Sequence, residues 1–179
     1  MSKKECTQQQ SIFDIVKTAF TNQPKKEEKI EWRLCVDGAS RGNPGKAGAG
    51  MVIYKNNKKH LSHGFFIGTR TNNEAEYIAL FIGVYYLKKE ASPFDLITII
   101  SDSELLIRQC QGSYRVRKAE LKQLYDAVMH ELQGFTYVFQ HVMRENNTVA
   151  DSLANKGIDD GVHLPLTLLN AFHLYDIHT

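Results

Sequence analysis

The stretch NNEAEYIALFIGVYYLKKE (72–90) constrains the fold more than any other part of this chain. Its ends carry helix signals. Thr71 followed three residues later by Glu74 makes a capping-box pattern, and Ser92-Pro93 stops the run. Apolar residues occur nearly all the way round the predicted helix. A helix without a polar face has to be buried, which predicts that this one is central. The stretch DLITIIS (95–101) follows directly, with almost no polar residue, and predicts an inner strand.

The flanking patterns supply the elements that cover this centre. Trp32, Leu34 and Val36 alternate with Arg33, Cys35 and Asp37, the period of a strand. GASRGNPGKAGAG (38–50) reads as a glycine-rich turn. MVIYK (51–55) and HLSHGFFIG (60–68) read as two more strands around Asn56-Asn57, which makes an antiparallel meander. SELLIRQC (103–110) is a short helix. KAELKQLYDAVMHEL (118–132) is amphipathic, with Leu121, Leu124, Tyr125, Val128 and Leu132 on one face. FTYVFQHV (135–142) is a fifth strand, and Asn147 to Asn155 a final helix. The order βββ-α-β-α-α-β-α predicts an α/β protein with a mixed sheet and helices packed on it. Residues 1–30 read as an N-terminal extension. There Ile12, Phe13, Ile15, Val16, Ala19 and Phe20 recur at helical spacing before the polar linker NQPKKEEK (22–29). Residues 159–179 form a C-terminal tail, apolar in places, to which the pattern assigns no role.

Composition excludes several classes. No apolar run approaches the ~18–20 residues that span a bilayer, so no membrane partner is expected. The start, MSKKECTQQQ, lacks a following apolar region and the Arg enrichment of a transit peptide. The chain has 3 cysteines, an odd number, and no CxxC spacing, which argues against a disulfide framework or zinc and favours a cytoplasmic location. A formal net charge of +2 is too mild to indicate nucleic acid by itself. Any such case must rest on motifs. A monomer is expected.

Four acids lie where catalytic groups tend to lie on such a sheet. Asp37 ends the first strand and Asp102 follows the apolar strand. Glu76 and Asp151 fall in the first turns of two helices. If the first and inner strands pair, Asp37 and Asp102 sit side by side. Crowded carboxylates repel one another and some must stay protonated unless a counter-charge intervenes. A hard divalent cation with oxygen ligands, such as Mg²⁺, relieves that repulsion. Each acid also has an ordinary explanation. Asp37 precedes a glycine and suits a turn, Glu76 and Asp151 complement helix dipoles, and Asp102 suits an N-cap.

Four blocks around these acids, in family order over about residues 31–158, resemble type 1 ribonuclease H. They are DGASRGNPG (37–45), TNNEAEYIAL (71–80), SDSELLIRQ (101–109) and RENNTVADSLAN (144–155). The resemblance implies a ribonuclease H-like fold, a five-stranded mixed sheet with an antiparallel meander, parallel strands and helices on both faces. It implies hydrolysis of the RNA strand of an RNA–DNA hybrid, leaving 5′-phosphate and 3′-hydroxyl ends. Asp37, Glu76, Asp102 and Asp151 would bind two Mg²⁺, with Mn²⁺ as a substitute. Asn43, Asn72 and Asn73 match positions that line the hybrid's minor groove, and Thr71 a phosphate contact on the DNA strand. Turn and helix-end roles suit the same four residues. The segment GSYRVRKAELKQL carries no basic protrusion, and HVMRENNTVAD is too short for the loop histidine of many members. Arg144 is then the candidate for the scissile phosphate, against an ordinary ion pair with a neighbouring acid. His141 reads as a plain strand residue. Asn147, which matches a residue near the last acid, is a further candidate substrate contact or serves only as a helix N-cap, and Glu104 departs from the amide common at its position. Double-stranded RNA stays open as a second substrate. A binding module without catalysis is the rival from another class.

Overall fold

In the computed structural model the described residues are 29–177. The expected helix over Ile12–Phe20 and its linker lie outside them. The elements are β1 (Glu31–Gly42), β2 (Gly45–Lys55), β3 (Lys58–Arg70), α1 (Asn72–Lys88), β4 (Leu96–Ser101), α2 (Glu104–Cys110), α3 (Ala119–Glu131), β5 (Thr136–His141), a 3₁₀ turn (Arg144–Asn146), α4 (Thr148–Asp160) and α5 (Leu166–His173). The sheet has five strands in the order β3-β2-β1-β4-β5. β1–β2 and β2–β3 pair antiparallel, β1–β4 and β4–β5 parallel. Among the described residues no helix is long and apolar enough to cross a membrane.

The central helix is central for the reason its sequence gives. Ile78, Leu80, Phe81, Ile82 and Val84 of α1 are all buried, and Gly83 lets the helix settle onto Leu34 and Val36 of β1. Thr71 caps it as the pattern predicts. Its hydroxyl accepts from the Glu74 N–H, while the Glu74 carboxylate accepts from the Thr71 N–H at 2.8 Å. The Asn56-Asn57 turn is also as expected. Both residues take the left-handed conformation, with φ of 47° and 63°, that a two-residue hairpin loop requires.

Residues 38–50 are not the open turn their composition suggests. β1 and β2 run on through them as a continuous ladder, and only Asn43-Pro44 makes the tip. The glycines serve close approach instead. A Cβ on Gly38 would lie 2.1 Å from the Glu76 backbone N on one face of the sheet. On the other face a Cβ on Gly50 would lie 2.1 Å from the Ala150 carbonyl, and one on Gly48 the same distance from that of Ala154. Missing side chains thus let α1 and α4 press against opposite faces of one hairpin.

The tail is built into the core. α4 continues to Asp160, so the expected boundary at 158 falls inside a helix. Beyond it Leu164, Leu168, Phe172 and Ile177 are buried. Phe172 stacks on Phe81 of α1 with ring centroids 4.6 Å apart, and the Tyr175 hydroxyl donates to Glu131 of α3.

Candidate active site

The parallel pairing of β1 with β4 sets the geometry. Cys35 registers with Ile100, so Asp37 and Asp102, two residues further along each chain, emerge at the same sheet end. The two close approaches bring in the helices. Contact at Gly38 delivers Glu76, whose carboxylate accepts from the Gly38 N–H at 3.2 Å. Contact at Gly50 delivers the first turn of α4, where Asp151 lies. All four expected acids therefore meet on one rim.

Their electrostatics are those of crowded carboxylates. Asp37 is 5% exposed, and burial, followed by the charges of Asp102 and Asp151, pushes its carboxyl up to about 7. Its side chain is also hydrogen-bonded to that of Asp102. Burial raises Glu76 well above the usual carboxylate range, and Asp37 and Asp102 raise it further. Arg144 opposes both rises, and its guanidinium pairs with the Asp151 carboxylate. The ordinary ion pair foreseen for Arg144 is thus the one formed. It is formed with a site acid, from a side chain that is 75% exposed and free to swing.

The donor set suits a hard divalent cation: oxygen ligands only, partly buried, with two members, Asp37 and Glu76, pushed towards their protonated forms first by burial and then by the charge of their neighbours. As they stand, no three His, Cys, Asp or Glu side chains among the described residues are grouped closely enough to cage an ion. The reason is visible in their partners. Asp37 and Asp102 hydrogen-bond to each other, Asp151 turns to Arg144, and Asp102 accepts from Asn147.

The remaining candidates lie at or beside this rim. Asn43, at the hairpin tip, accepts from the Asn72 N–H at 3.1 Å. Asn43 and Asn72 are exposed, Thr71 and Asn73 half-buried. An open pocket of about 440 Å³ beside Thr71 and Glu74 is completed by Lys118, Glu120 and Leu121. Lys118 falls in the segment GSYRVRKAELKQL, beside Arg115 and Arg117 in the sequence. His141 ends β5, and its Nε2 lies 3.2 Å from the Asp102 carbonyl. Asn147 is 2% exposed, and its side chain makes no capping bond.

A family profile described as reverse transcriptase-like matches residues 35–157. The ribonuclease H of Coxiella burnetii is 32% identical over 151 residues, covering 76% of this chain and 94% of that protein. This chain belongs to the ribonuclease H family. Ribonuclease HI of Halobacterium salinarum is 37% identical over 129 residues, covering 69% of this chain; the chain spans only 62% of that relative's length. Among solved structures, LC11-RNase H1 in complex with an RNA/DNA hybrid matches with a TM-score of 0.67 and 36% identity, over 74% of this chain and 98% of that one. The likeness is to type 1 ribonucleases H, and it runs through all four acid-bearing blocks.

Proposed function

We propose that this chain is an endoribonuclease that hydrolyses the RNA strand of RNA–DNA hybrids, working as a monomer. The observation that carries this reading is the cluster of Asp37, Glu76, Asp102 and Asp151 on one rim, with Asp37 and Glu76 driven towards their protonated forms by burial and mutual repulsion. Such a cluster gains most from divalent cations. The hybrid bound in the LC11 complex supports the choice of substrate. The four acids would hold two Mg²⁺, or Mn²⁺ in their place. Bound ions of this kind activate a water and stabilise the leaving oxygen, giving 5′-phosphate and 3′-hydroxyl ends.

The chain's own residues do the rest. With the acids holding Mg²⁺, Arg144, now paired with Asp151, would be available to the scissile phosphate. Asn43, Asn72 and Asn73 present amides to bases and ribose in the minor groove, where the 2′-OH distinguishes RNA from DNA. Thr71 and Lys118, beside their shared pocket, suit a phosphate of the DNA strand.

The test is cleavage of a labelled hybrid with and without Mg²⁺, beside duplex DNA and double-stranded RNA. Hybrid should be cut only with Mg²⁺, and duplex DNA spared. Asp102→Asn should lower the rate by orders of magnitude while the fold survives. Binding of hybrid without any cleavage would instead establish a recognition module.

A further inference from the structure

Asn147 stands where the 3₁₀ turn meets α4, at the position of a helix N-cap. Its side chain does not cap. It turns inward, and Nδ2 donates to the Val36 carbonyl at 2.9 Å and to Asp102 Oδ1 at 2.7 Å. Val36 is the residue before Asp37 in β1, and Asp102 is the residue after β4. One amide therefore ties the middle of β1 to the end of β4, the two places that carry the central acids. Its Oδ1 is buried and has no partner. The opposite amide orientation is worse, because it would set an oxygen against two acceptors and leave the donors unbonded. The side chain thus forgoes a cap and leaves an acceptor unsatisfied, both at a cost to stability, in order to hold this contact.

We propose that Asn147 is a positioning residue for Asp102 and does not contact the substrate. Both Nδ2 hydrogens are engaged inside the protein, and a side chain 2% exposed does not reach a nucleic acid lying over the rim. The bond to Oδ1 fixes the rotamer of Asp102 and leaves its second oxygen for the acid cluster. An amide suits the task where lysine or arginine would not. It holds the carboxylate without neutralising the charge that attracts a cation. Anchoring to the Val36 carbonyl also fixes Asp102 relative to Asp37, so the spacing of the two acids does not depend on the sheet end alone. This inference rests on the reading of the four acids as cation ligands.

The test uses the full chain and Asn147→Ala, Asn147→Ser and Asn147→Asp variants. Three quantities are read: kcat and KM on a labelled hybrid, the Mg²⁺ concentration that gives half of the thermal shift, and Tm in EDTA. Outer partners of metal ligands typically contribute about 10–100-fold in metal affinity or activity. Asn147→Ala should therefore raise the half-effective Mg²⁺ concentration and lower kcat, each by about 10-fold or more, with KM for hybrid nearly unchanged. Asn147→Asp, which sets a carboxylate against Asp102, should be at least as severe. Asn147→Ser keeps one donor, should fall between wild type and Ala, and serves if Ala melts below the assay temperature. A lower Tm with kcat and Mg²⁺ response unchanged would overturn the proposal, and so would a raised KM with kcat intact. If the wild type shows its Mg²⁺ shift but cuts no hybrid, the functional reading fails. The Mg²⁺ response of the variants still decides the role of Asn147.

Discussion

Asp37→Asn should stabilise the metal-free protein at neutral and alkaline pH while abolishing cleavage. The folded state lifts the Asp37 carboxyl from its ordinary 3.8 to about 7, chiefly by burial and then by the charges of Asp102 and Asp151. A group raised in this way leaves stability intact below about pH 4, and stability is lost as pH rises through about 7. The rise corresponds to a ceiling of about 4 kcal/mol once the acid is ionised. Asparagine resembles the protonated acid in shape and can offer an N–H to Asp102 where the acid offers an O–H. The variant and the wild type should therefore melt together near pH 4.5. By pH 8 the variant should melt higher, by up to about 8–16 °C at about 2–4 °C per kcal/mol. Thermal melts in EDTA across pH 4.5–8.5, followed by circular dichroism, measure the gap. Added Mg²⁺ should raise the wild type and close most of it. A gap that does not change with pH, or a wild type that melts higher than the variant at pH 8, would refute the electrostatic argument.

Gly50→Ala places a methyl 2.1 Å from the Ala150 carbonyl and should cost about 1–3 kcal/mol or more, read as a lower denaturation midpoint and a weaker Mg²⁺ response as α4 is pushed outward. Phe172→Ala, deep against Phe81, should cost about 3–5 kcal/mol in urea unfolding, and a chain ending at Gly161 should fail to reach the same fold by circular dichroism. Arg144→Ala should shift Tm by no more than an exposed ion pair does, under about 1 kcal/mol, yet lower kcat on hybrid about 10-fold or more. Hybrid affinity of the Asp102→Asn variant across a salt series should give a shallow slope, corresponding to roughly two to five phosphate contacts. A slope that steepens well beyond this and flattens when residues 1–30 are removed would make the N-terminal Lys25, Lys26 and Lys29 a clamp.

The sequence made the strands and the central helix legible because each rested on a signal with one physical meaning, whereas the four acids, each with an ordinary explanation of its own, stood out only as a set. Period-2 alternation marked β1 and all-round apolarity marked α1, while Asp102 does follow the end of β4 but Asp37, expected to end the first strand, lies in the middle of β1. The failures came where one residue type has two uses. Gly38, Gly48 and Gly50 carry the composition of a turn, but their lack of a Cβ serves close packing in a continuous ladder. Nothing local separates these uses, because the second depends on a helix more than 25 residues away. Asn147 suffered the same ambiguity. As the residue before a helix it reads as a cap, and only the position of Asp102 turns it inward. α5 was missed because Leu164, Leu168 and Phe172 pack as one short turn-and-helix whose period is too brief to stand out.

These ambiguous residues are not scattered. Gly38, Gly50 and Asn147 all touch the elements that hold the acids, and each breaks a local rule at a cost to stability. The glycines weaken a strand interior, and Asn147 gives up a helix cap and an acceptor. The acids add a cost of their own, since Asp37 and Glu76 are buried against like charge. A chain folding for stability alone would place an apolar side chain at Asp37. Acids crowded against like charge at one rim are what a binding site produces, because the compensating energy comes from the ligand. Here the compensation has a sign. Positive charge relieves crowded carboxylates, and Arg144, the cation paired with them here, is 75% exposed. On the function proposed above, the arrangement would take divalent cations and a phosphate together, with Arg144 passing from one anion to the other.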